Sequence, residues 1–125
     1  MADAVPFFMP ADVVTCHVGV AVTGKRFVKI SGASVDGNFR VVPCGAGEKA
    51  FGVAARDKGV GDKVAVYKIG SGWIVPVEVG AAPLVSGDRI QSDAAGKAIV
   101  LGAGVELGTI CDDAAAAADG AIALS

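Results

Sequence analysis

Histidine, tryptophan and tyrosine each occur once in these 125 residues, and aromatic side chains make up only 6 % of them. With His17 alone, no histidine-based metal cluster can form, and a metal is not expected. The three cysteines, Cys16, Cys44 and Cys111, are odd in number, far apart and match no zinc spacing. A disulfide stays open, but the chain reads as made in a reducing cytoplasm, with buried thiols acting as small hydrophobes. Charge is also thin, at 19 % of residues against a usual share of about 25 %. Net charge is −2 and no stretch concentrates Lys or Arg, so the footprint of phosphate neutralisation is absent and nucleic acid is not an expected partner. No run of about 20 apolar residues exists to span a bilayer. The opening stretch MADAVPFFMPADVV has no basic n-region and is broken by Pro6 and Pro10, so it is expected to be neither signal peptide nor membrane anchor. So few charges predict a surface partly covered by other subunits.

What is abundant is glycine. Eighteen residues are about twice the usual share and call for many tight turns. Residues 13–22 (VVTCHVGVAV) are β-branched-rich and end at Thr23-Gly24-Lys25. Residues 27–30 alternate, and Asp36-Gly37-Asn38 separates them from residues 39–42 as a hairpin turn. Strands follow at residues 50–55, 64–69 and 73–79, the last carrying Pro76, which suits an edge strand or a bulge. Turn signals recur about every 8 to 12 residues, the spacing of a sandwich or small barrel. Residues 112–119 (DDAAAAAD) alone have strong helix propensity, too short to nucleate a helix, and read as a loop with one helical turn. The expected architecture is all-β: a compact β-sandwich or small β-barrel of short strands at residues 13–125, preceded by an extended arm at residues 1–12, with at most one short helical turn.

An imperfect echo links the middle of the chain to its end. Residues 51–69 read FGVAARDKGVGDKVAVYKI and residues 107–125 read LGTICDDAAAAADGAIALS. Each copy runs large apolar residue, Gly, short apolar pair, Asp, small-residue spacer, second Asp and a closing apolar run. Matching the second Asp of each copy takes one extra residue in the later spacer. A repeated strand–turn–strand unit and two hairpins that converged on similar turn chemistry both account for this pattern.

Candidates for chemistry are few. Cys16 and His17 are adjacent, but neighbours on a strand point to opposite faces and do not form a thiolate–imidazole couple. Asp57, Asp62, Asp88, Asp93, Asp112, Asp113 and Asp119 sit beside small residues in turns, where carboxylates bond to nearby backbone N–H groups; no segment alternates acids in a calcium-loop pattern. Residues 43–49 (PCGAGEK) lack the Walker spacing and read as a plain loop. No serine elbow or paired carboxylates appear, so no catalytic residue and no cofactor are expected. Trp73 is a candidate for packing or subunit contact. Val5, Pro6, Phe7, Phe8, Met9 and Pro10 form an apolar, proline-bounded terminal stretch, costly to leave in water. Either it folds back over its own sheet or, as preferred here, it lies on a neighbouring subunit or partner.

The apolar arm around Phe7-Phe8, VTGKRFVKISG at residues 22–32, FGVAARDKGVGDKVAVYKIG at 51–70, WIVPVEVGAAPLVSGDRIQSDAAGKAI at 73–99 and the final LGTICDDAAAAADGAIALS together resemble the capsid decoration (head cement) proteins of tailed bacteriophages. The resemblance covers most of the chain. It implies a β domain on the outer surface of the virion capsid, bound to the major capsid protein, commonly as homotrimers bridging capsid subunits and without enzymatic activity. The DGNF hairpin and the PCGAGEK loop look particular to this chain. Two rival classes stand beside this reading. A carbohydrate- or cell-surface-binding β domain would need an exposed aromatic platform, with Trp73 and Tyr67 as candidates. An enzyme on a small barrel would need converging polar groups in a cavity.

Overall fold

Alternation decides the first strand. In β1 (Val13–Val18), Val14, Cys16 and Val18 are buried while Val13 and Thr15 face water, the period of a half-buried strand. The computed structural model describes residues 13–125, so the arm of residues 1–12, with Val5, Pro6, Phe7, Phe8, Met9 and Pro10, lies outside the described residues. Among the described residues nine more strands follow β1, with no helix: β2 (Phe27–Ile30), β3 (Arg40–Pro43), β4 (Gly52–Ala54), β5 (Lys63–Lys68), β6 (Ile74–Glu78), β7 (Arg89–Ser92), β8 (Ala98–Val100), β9 (Gly108–Ile110) and β10 (Asp119–Leu124). The all-β expectation holds.

The first five strands close into a barrel in the order β1-β3-β2-β4-β5, and the last five form a sheet in the order β6-β10-β9-β7-β8. In the barrel β1 runs parallel to β3, and every other pairing is antiparallel. The second sheet has four antiparallel pairings and a single parallel bridge, Val79 to Ala98, that joins its two edges. It is therefore nearly a barrel too, and of the same design: β6 to β10 take the places of β1 to β5 in order.

This equivalence extends to individual residues. The buried interior of the first barrel is Val14, Cys16, Val18, Val22, Val28, Val41, Ala54, Val64 and Val66. By strand register their counterparts are Val75, Val77, Val79, Leu84, Ile90, Ala98, Ile110, Gly120 and Ile122. All but the glycine belong to the second core. Loop hydrogen bonds repeat as well: Gly19 N–H to Val41 O matches Gly80 N–H to Ala98 O, both at 2.9 Å, and Lys25 N–H to Ala54 O at 2.9 Å matches Gly87 N–H to Ile110 O at 2.8 Å. The antiparallel bridge Val22–Lys58 is matched by Leu84–Ala114.

The sequence echo is thus the visible part of a five-strand unit present twice. Its register differs from the one that matching aspartates suggests. Tyr67 opposes Val53 and Ala123 opposes Thr109, so residues 51–69 and 107–125 align without any insertion and Asp62 falls opposite Ala118, not Asp119. The alanine-rich loop contributes Ala114 to its bridge with Leu84, closes a turn with Ala118 N–H on Ala115 O at 3.2 Å and gives Asp119 to β10, leaving no length for a helix.

Two glycines mark the tightest crossings. A side chain at Gly52 would run into the carbonyl oxygen of Tyr67, and one at Gly108 into that of Ala123, the equivalent atom of the second unit. Backbone cannot yield there, so both copies keep glycine. Pro76 lies on β6, opposite Ala121 of β10, at the edge of the second sheet as a residue without N–H requires. The Asp36-Gly37 turn, with both residues at positive φ, closes a hairpin between Val35 and Asn38; this extension of the β2–β3 loop is absent from the shorter β7–β8 loop.

The halves are not independent. Phe27, Cys44, Ala50 and Val53 belong to the first half but are buried in one cluster with the core of the second. Main-chain bonds stitch the seam: Phe27 N–H to Gly96 O at 2.8 Å, Glu78 N–H to Lys25 O at 2.8 Å and Gly47 N–H to Ser92 O at 2.8 Å.

Candidate interaction surfaces

Two ion pairs cross the seam beside these bonds, Arg26–Glu78 and Lys25–Asp119, and Lys97 of the second half shares Glu78. Arg26 Nη2 and Lys97 Nζ both reach Glu78 Oε2 at 3.1 Å, and Lys25 Nζ meets Asp119 Oδ2 at 2.7 Å. Lys97, then Arg26, holds the Glu78 carboxyl below the usual carboxylate range against the opposing effect of burial. Arg26 Nε is buried without a partner, so the guanidinium is fixed by one end alone. Cations from the first half meeting carboxylates of the second add to the main-chain bonds and shared core that join the halves.

Most turn carboxylates act on backbone, as their setting predicts. Asp57 accepts from Gly24 N–H at 2.7 Å, and its counterpart Asp113 from Ser86 N–H at 2.9 Å, the same contact in both units. Asp62 accepts from Gly59, Asp88 from Val85, Asp93 from Ala95 and Lys97, and Asp112 from Asp113. Asp119 departs from the pattern through its bond to Lys25. Among the described residues no three His, Cys, Asp or Glu converge as metal ligands do.

Cys16 is buried and His17 half-buried on β1, consistent with opposite faces. Burial pushes the Cys16 thiol up to about 11 and raises that of Cys44 as well, which suits packing and not nucleophilic attack. All three thiols are free, but Cys111 is exposed, contrary to the expectation that all three are buried. It follows β9, where the second unit turns outward. Residues 43–49 are more than a plain loop. Glu48 Oε1 accepts from Gly45 N–H at 2.8 Å, and Gly47 packs so closely on Gly104 that neither position admits a side chain without displacement. The two glycines were the only available signal for this contact between halves.

Trp73 is 43 % exposed, and its ring lies 5.5 Å from that of Tyr67. The pair spans the join between β5 and β6, so one face of the indole is taken up within the chain and the rest is open.

A groove of about 470 Å³ opens at the mouth of the first barrel. Ile30, Ala50, Phe51 and Ile69 form its apolar lining, and Lys29, Lys49 and Lys68 stand around it. Lys29 is paired with Glu48; Lys49 and Lys68 make no ion pair among the described residues. Sequence reasoning missed this site because its residues come from three separated segments and no local motif joins them. Val13, the first residue described, pairs with Tyr67, next to the Lys68 and Ile69 of this mouth.

With this geometry in place, comparison with known proteins gives a consistent result. A family described as phage cement protein matches residues 10–125. No curated protein matches. Among solved structures, the N base of head fiber gp8.5 of bacteriophage phi29 superposes with a TM-score of 0.72 at 17 % identity, covering 90 % of this chain and 92 % of that one. At that identity the likeness speaks for the fold.

Proposed function

The chain belongs to the phage cement protein family, and from that premise we propose that it is a structural component of a bacteriophage head that binds the outer surface of the assembled capsid and bridges its subunits. The observation that carries this reading is the family match over residues 10–125, which takes in both five-strand units entire. A rigid, thinly charged scaffold whose carboxylates are largely spent on its own turns suits a protein that works by contact. It acts without turnover. Binding only the assembled shell stabilises that state by mass action, and many copies bridging several subunits gain from multivalency, so modest contacts per copy suffice. The major capsid protein is the partner, and copies associate with one another, as homotrimers in the preferred arrangement. Val5, Pro6, Phe7, Phe8, Met9 and Pro10 supply the grip on a neighbouring subunit or the shell, with Trp73 as a further contact.

The test is co-sedimentation of purified protein with expanded heads that lack it. The wild-type chain is expected to pellet with heads. Phe7→Asp with Phe8→Asp is expected to weaken binding by about tenfold or more, since two buried aromatic anchors are lost, while the melting temperature of the free protein stays unchanged. Folded protein that ignores expanded heads refutes the role. A large drop in melting temperature for the double variant instead places the arm in its own core.

A further inference from the structure

The twofold use of one scaffold supplies an internal control for the basic groove. Lys29, Lys49 and Lys68 occupy positions that the second unit fills with Gln91, Val105 and Leu124, by the register already given. The fold therefore needs no lysine at any of the three. At the equivalent mouth of the second unit Leu107 and Leu124, the counterparts of Phe51 and Lys68, are both buried. In the first it stays open over Ile30, Ala50, Phe51 and Ile69, and Ile30 is 44 % exposed. Lys49 and Lys68, without ion-pair partners among the described residues and set beside an apolar floor in one copy of the unit alone, suit a ligand with acidic ends and an apolar middle.

The chain carries such a segment. Residues 1–12, MADAVPFFMPAD, contain Asp3 and Asp12, no Lys or Arg, and Val5 to Pro10 between them. Val5 and Met9 each precede a proline, a position sterically biased to extended backbone and against tight reversal. Six extended residues reach about 20 Å, which is long enough for Phe7 and Phe8 to meet the groove of a neighbouring copy. We infer that the groove lined by Lys29, Lys49, Lys68, Ile30, Phe51 and Ile69 receives residues 1–12 of a second copy of this chain, with Phe7 and Phe8 on the apolar floor and the aspartates among the lysines. This deepens the cement reading and rests on its premise that copies associate.

The test places the photo-crosslinker p-benzoyl-phenylalanine at position 8 of the full chain. Nitrogen-15-labelled and unlabelled copies are mixed and irradiated, both on decorated heads and in concentrated solution. Expected are crosslinks joining labelled to unlabelled chains at residues 49–51 or 68–69. Lys49→Glu with Lys68→Glu should lower their yield by about tenfold through like-charge repulsion, and Asp3→Lys with Asp12→Lys in the same chain should restore it. The lysine sites are exposed and carry other residues in the second unit, so folding is retained and is checked by circular dichroism. Crosslinks confined to single copies, directed to capsid protein or to other surfaces, or absent altogether overturn the assignment. Sedimentation with heads is read on the same samples: heads that bind protein without the groove crosslink leave the cement reading standing and remove only this one.

Discussion

Gly120 and Ile110 offer the sharpest check on the internal equivalence. In the first barrel the corresponding pair is Val64 and Ala54, both buried. The two pairs hold the same number of side-chain carbons, distributed oppositely. A Cβ at Gly120 would lie 3.0 Å from Ile110 Cδ1 and 3.1 Å from Val79 Cγ2, and its φ is outside the left-handed region, so crowding is the only obstacle to a larger residue. Gly120→Val should then cost ~1–3 kcal/mol by overpacking. Ile110→Ala alone should cost ~2–5 kcal/mol, the removed carbons plus the cavity they leave. Together they rebuild the packing of the first barrel, and the double variant should recover about 2 kcal/mol relative to the sum of the singles, the scale of coupling between contacting residues. For a chain of this length, 1 kcal/mol moves the melting temperature by about 4 °C, so the recovery is easily read. Urea titrations at one fixed protein concentration are the assay, with unchanged m-values showing that stability alone has moved. Strict additivity in the double variant would refute the pairing of Gly120 with Val64.

Two further outcomes follow from groups at the seam and in the core. The Glu78 carboxyl is held below its unfolded value by Lys97 and Arg26, so the stability it contributes is present above about pH 4.3, the unfolded value, and is lost as pH falls through the lower folded value; Glu78→Gln should lower stability by about 1 kcal/mol at neutral pH and flatten the acid limb of a stability–pH curve, and an unchanged acid limb would contradict the pairing. Iodoacetamide at mildly alkaline pH should label Cys111 in the native protein and spare Cys16, whose thiol is pushed up to about 11, and Cys44 until denaturant is added; mass spectrometry locates the label, and rapid native labelling of Cys16 would contradict its burial.

The strands were legible in the sequence because each carries its own period. Val14, Cys16 and Val18 alternate with polar or exposed neighbours, and Asp36-Gly37 announces its hairpin. The last two strands of each unit could also be recognised as an echo, since the Gly at 52 and 108 and the Asp at 57 and 113 serve identical backbone contacts in both. The first three strands could not. Val14 and Val75, or Val41 and Ala98, are interchangeable as fillers of one interior, so packing leaves no identity to detect. The hairpin inserted between β2 and β3 also shifts the spacing. The parallel bridge from Val79 to Ala98 depends on chain closure over long range, which no local pattern encodes. For the same reason the lysine-ringed mouth was invisible: Lys29, Lys49 and Lys68 become neighbours only when three strand ends meet. The arm and Trp73, by contrast, stood out by composition, although composition does not say what they touch.

Phe27 and Val53 lie on the outside of one barrel and in the interior of the cluster formed with the other. Loosening either unit would wet both apolar surfaces at once, so the body should melt as a single cooperative piece, and the glycine-flanked join before Trp73 is no hinge. A load applied to one unit is then shared with the other through the core that both hold in common.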